Sequence, residues 1–217
     1  MKSIFTTFLV VFLFASCNIT GERINGNGNI KTETRQLSNV SKVNVMGSLE
    51  VVLEEGTPSL KIEGDENLLP YIETNVNGNE LTIKTRDHIN IQTNNSLKIY
   101  LSLQQFSALK IMGSGKIETA NKFNNTEKFT AELMGSGKIS LNVHAPSIVA
   151  DVMGSGDIII EGETRDIEAN IKGSGTFTGE NLKSENALVS IAGSGDVTVF
   201  ADIKLKINIA GSGNVRY

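Results

Sequence analysis

The chain has 217 residues, with 20 Lys and Arg against 24 Asp and Glu and a net charge of -4. A mild, mixed charge argues against a polyanion such as nucleic acid as partner, and the length allows one sizeable domain. The single cysteine excludes an internal disulfide and a cysteine-built metal site.

Residues 1–16 read MKSIFTTFLVVFLFAS: Lys2, an apolar run over 8–15, then small residues before Cys17. This is the pattern of a secretory signal peptide, too short to span a bilayer as a stable helix. Phe14, Ala15, Ser16 and Cys17 resemble a bacterial lipobox, with Phe14 where an aliphatic residue is usual. The expectation is that Cys17 is lipidated and anchors the exported chain in the bacterial outer membrane. The side of that membrane stays open, and an ordinary signal peptide with an incidental cysteine is the alternative.

Residues 17–38 are rich in Asn, Gly and Thr and nearly free of core-forming side chains. They are expected to be a lipidated tether. Gly26, Asn27, Gly28, Asn29 and Ile30 echo the repeat described below, so a degenerate first coil is an open alternative.

The domain is expected over 39–217. Val43, Val45, Leu49, Val51 and Leu53 alternate around a degraded triplet at Gly47 and Ser48. Leu60 and Ile62 mark a short strand, residues 68–72 a brief helical turn, and Asn77-Gly78-Asn79 a hairpin. Alternation returns at Leu81 and Ile83, at Ile89 and Ile91, and from Leu97 to Leu103. The 66 residues between Gly47 and Gly113 are close to three coils. This half is expected to continue the stack irregularly, with partly antiparallel corners.

From Gly113 onward one string returns six times: Gly-Ser-Gly, a variable residue, then an apolar one. Its glycines are Gly113 and Gly115, Gly135 and Gly137, Gly154 and Gly156, Gly173 and Gly175, Gly193 and Gly195, and Gly211 and Gly213. The starts are 22, 19, 19, 20 and 18 residues apart. Apolar residues stand two and four places before each first glycine and four places after it, as with Leu109, Ile111 and Ile117. That is the strand period of two, repeated at a coil length near twenty. The fold class is therefore all-β, a parallel β-solenoid of about 20-residue coils with a more irregular N-terminal half. The glycines form a structural ladder at a corner where the chain bends or the walls approach closely. Met112, Met134 and Met153 precede three triplets and face outward in a stack. They are either a stripe under a flanking loop or an adaptable apolar binding strip. The last repeat strand reaches Tyr217, and its end is expected to be covered by an earlier segment or paired with a second copy.

The lipobox, the Asp65-Glu66-Asn67-Leu68-Leu69 turn, the Asn79-Glu80-Leu81-Thr82-Ile83 strand and the triplet copies together resemble the auto-transporter adhesin head GIN domain family of Gram-negative bacteria. The resemblance covers about 40–217. It implies a right-handed β-helix and a secreted, membrane-anchored location, and it transfers an adhesive role only weakly.

The sequence offers no catalytic constellation. His88 and His144 are the only histidines, and both fall where surface residues are expected. The triplet serines lack the strand-to-helix elbow of G-x-S-x-G, and no phosphate-loop Lys-Ser/Thr pair follows the glycines. Cofactors and metals are not expected. Asp151, Asp157 and Asp196 are the carboxylates that a polysaccharide lyase or hydrolase on this fold would use. Asp157 and Asp196 lie two coils apart, ~10 Å by strand spacing. Two functions remain. The first is a non-catalytic, lipid-anchored, adhesin-like module binding a carbohydrate or a protein surface through its outer wall, with Lys116 and Lys138 among the outward residues. The second is a carbohydrate-active enzyme, and a third, plainer option is an envelope scaffold with no dedicated ligand.

Overall fold

A computed structural model describes residues 21–37 and 40–217. The expected signal peptide and Cys17 lie outside the described residues. The described chain is a β-solenoid of about five turns whose parallel bridges join residues about 20 apart. Its one helical piece is the 3-10 turn Leu69–Tyr71, where the sequence places it.

Alternation explains the rungs. Leu109, Ile111, Ile117, Leu133, Ile139 and Ile158 point inward and are buried. Strict register stacks like on like: Ile117 on Ile139, Ile139 on Ile158, Ile158 on Phe177, and Phe177 on Val197. Full burial of each such side chain contributes roughly 1.5–3 kcal/mol. Phe106 packs edge-on against Phe123 and Phe129, with ring centroids 4.6 and 5.3 Å apart.

The coil has three walls. The first ends at each triplet and stacks Ala108–Gly113, Phe129–Gly135 and the later strands up to Lys204–Gly211. The second begins after each triplet and runs from Lys116–Thr119 to Asn214–Arg216. A third, shorter wall stacks Phe123 on Val143, Val143 on Gly162 and Gly162 on Leu182.

The N-terminal half departs from the expected three consecutive coils. Gly47 is the direct rung neighbour of Gly113. Strand Lys42–Gly47 lies between Ala108–Gly113 on one side and Glu80–Thr85 on the other. Strand Glu50–Glu55 likewise lies between Lys116–Thr119 and Lys98–Leu103. The first coil is thus sandwiched by two later ones. The intervening residues fold back antiparallel: Ser59–Asp65 on Lys98–Leu103, and Ile72–Asn77 on Glu80–Thr85 through the Gly78 hairpin. Antiparallel returns need only short turns, so they close this end of the stack where another parallel coil would need a long crossover.

The tether expectation is corrected over 22–36. Glu22–Asn25 pairs in parallel with Ile89–Gln92, and Ile30–Gln36 pairs antiparallel with Ser59–Asp65. An edge strand is held by backbone hydrogen bonds, so polar composition does not exclude it. Asp65 fastens the segment. It is 1% exposed, accepts a 2.6 Å bond from the Gly28 amide, and also accepts from Thr93 Oγ1. These bonds, the Thr93 hydroxyl foremost, hold its carboxyl below the usual carboxylate range.

Candidate binding wall

The corner sets the geometry of both main walls. Each repeat's first glycine takes φ between +124° and +139°. A Cβ there would sit 2.0–2.5 Å from the carbonyl oxygen of the glycine one rung below. At each second glycine it would meet the rung below at 2.5–2.8 Å. Only glycine allows that backbone angle together with that approach. The backbone ladder then continues through the bend: Ser136 N donates to Gly113 O at 3.0 Å, and Ser155, Ser174, Ser194 and Ser212 repeat the bond at 2.9 Å. The serine side chains stand exposed along a ridge.

Immediately before that ridge runs a column of methionines on the first wall. Met46 stacks on Met112, Met112 on Met134, and Met134 on Met153. These are all the methionines of the chain apart from Met1. Met46 was not anticipated, because Leu49 replaces the second glycine of its triplet; the shared Met-Gly-Ser string was the available signal. Met112 is 36% exposed and the other three are half-buried. Lys84 follows Met46 at one end of the column and Lys172 follows Met153 at the other.

Beyond Lys172 the column continues as Ala192 and Ala210. The drop in side-chain height opens a trough of about 570 Å³ reaching from Met153 to Ala210. Its polar rail is the adjacent column Asp151, Asn170, Ser190 and Asn208. Asn170 Nδ2 donates to Asp151 Oδ1 at 2.9 Å.

The second wall carries a charged column. Lys116 stacks between Glu50 and Lys138, followed by Asp157, Thr176, Asp196 and Asn214. Lys116 pairs with Glu118 at 2.6 Å, and this bond raises its pKa. Asp157 and Asp196 are separated by Thr176, and Asp196 accepts from Asn214 Nδ2 at 2.8 Å. Asp151 stands around the corner on the first wall, so the three carboxylates do not converge. His88 sits in the loop after Glu80–Thr85 with φ +63°, and His144 on the third wall faces Glu163 at 3.6 Å. No group of three or more His, Cys, Asp or Glu gathers among the described residues.

Residues 39–217 match the family model described as "Putative auto-transporter adhesin, head GIN domain". No curated protein matches the chain. The solved structures that share the fold include the following three. A putative adhesin from Bacteroides fragilis is 18% identical, with a TM-score of 0.81 over 89% of this chain and 99% of that one. A putative lipid binding protein from Parabacteroides distasonis is 23% identical, with a TM-score of 0.67 over 90% and 99%. A putative adhesin from Parabacteroides merdae is 16% identical, with a TM-score of 0.62 over 89% and 98%.

Proposed function

The chain belongs to the auto-transporter adhesin head GIN domain family, and on that premise we propose that it is a non-catalytic, adhesin-like binding module of the cell envelope. The first outer wall is its contact surface, and the ligand is a carbohydrate or a protein surface. The observation that carries this reading is the continuity of the methionine column with the trough over Ala192 and Ala210. Flexible thioether side chains adapt to varied partners, and a concave floor with a polar rail orients them. The charged column through Lys116 and Lys138 is the alternative contact.

Cys17 is proposed as the lipidated anchor, placing the module on the outer membrane. Globomycin should block its maturation, and a Cys17→Ser variant should lose the membrane fraction. Protease shaving of intact cells reports the side of the membrane. Binding is tested with immobilised glycans and with protein-coated surfaces. Ala192→Trp, which fills the trough, should weaken capture at least tenfold if this wall is the contact. Unchanged capture by Ala192→Trp, with loss in the Lys116→Glu and Lys138→Glu double variant, moves the contact to the second wall.

A further inference from the structure

We propose that the column Met46, Met112, Met134 and Met153 binds a soft monovalent cation, Cu(I) or Ag(I), between adjacent rungs. Thioether sulfur is a soft neutral donor that favours such ions over Zn, Mg or Ca. Parallel strands place equivalent side chains ~4.8 Å apart. That spacing is close to twice the ~2.3 Å metal–sulfur distance of zinc–thiolate sites, taken here as the length scale. Two rung neighbours therefore bracket one ion without moving the backbone. Strict register repeats the bracket at each step from Met46 to Met153. Met46, Met134 and Met153 are half-buried, and Met112 is 36% exposed, open to an incoming ion. In the neighbouring column Lys110 is paired with Glu132 at 3.1 Å and Asp151 follows, so an incoming cation meets a neutralised lysine and then a carboxylate.

Sulfur distinguishes this proposal from the docking strip above, and the two fail separately. Leucine keeps the apolar body of methionine and removes the donor. The test titrates Ag(I) nitrate into the chain carrying Cys17→Ser, which removes the competing thiol, labelled with 13C at the methionine methyls. The expected result is a shift of the Met112 and Met134 methyl resonances at stoichiometric Ag(I), with equal affinity at pH 5 and pH 7, because a thioether has no proton to lose. Met112→Leu with Met134→Leu should weaken Ag(I) binding at least tenfold. Unmoved methyl resonances overturn the proposal. So does binding that survives the leucine pair or falls at pH 5, since the ion would then sit on donors other than the thioethers.

Discussion

Gly211 lies so close over Gly193 that a Cβ on Gly211 would stand 2.0 Å from the Gly193 carbonyl oxygen. The same approach recurs down the corner, which makes the ladder a set of tests with an internal control. Gly173→Ala combines φ +124° with a Cβ 2.4 Å from Gly154 O. It should cost about 3 kcal/mol or more by urea denaturation. Gly47 has φ +91° but nothing within 4 Å of its Cβ position. Gly47→Ala should therefore cost only the backbone strain, about 1–2 kcal/mol. Ser174→Ala, on the exposed ridge between two such glycines, should stay within about 0.5 kcal/mol of wild type. Equal losses for the two glycine variants would contradict the close stacking.

Asp65 gives a pH dependence of known sign. Its folded pKa lies below the ordinary value of 3.8. The stability it contributes is present above that value and is lost as pH falls through it toward the folded pKa. Amide protection over 30–36 and at Gly28 should drop between pH 5 and 3 in the wild type. In Asp65→Asn it should be low already at pH 6 and change little on acidification, by hydrogen exchange.

The two functional classes separate on the second wall. Asp157→Asn and Asp196→Asn should leave capture of any ligand within twofold, and the wild type should release neither reducing ends nor unsaturated products from a polysaccharide panel. Turnover abolished by either substitution would instead assign catalysis to this column.

Strand Lys204–Gly211 pairs on one edge only among the described residues, and Ile207 and Ile209 are 37% and 45% exposed. We propose that this edge takes a second copy. Antiparallel pairing centred on Asn208 sets Ile207 of each copy opposite Ile209 of the other and Lys206 opposite Ala210, so no like charges face each other. Sedimentation should show a concentration-dependent dimer that Ile207→Lys with Ile209→Lys abolishes. A wild-type monomer at high concentration would remove the idea.

The repeat half was legible in the sequence because its rule is steric. Each repeated triplet corner demands glycine, and most inward positions are apolar to fill a shared core. The N-terminal half was less so. Residues 22–36 hold their place by backbone pairing and by Asp65, neither of which leaves an apolar pattern. The order of coils was invisible too, because Lys42–Gly47 presents the same alternation whichever neighbour it meets. At the candidate wall, Met112, Met134 and Met153 were visible as a stack. The trough was not, since it arises from a fall in side-chain size from Lys172 to Ala192 that only register makes meaningful.

The sandwiched position of residues 42–55 bears on assembly. A chain emerging N-terminus first offers this coil before either of its flanking coils exists, and Gly113 must arrive across 66 residues of sequence before the upper neighbour can form. Closing so large a loop is slow. Once it is closed, every later coil adds to a finished template only some twenty residues upstream. Maturation should therefore show one slow initiation followed by rapid zippering toward Tyr217.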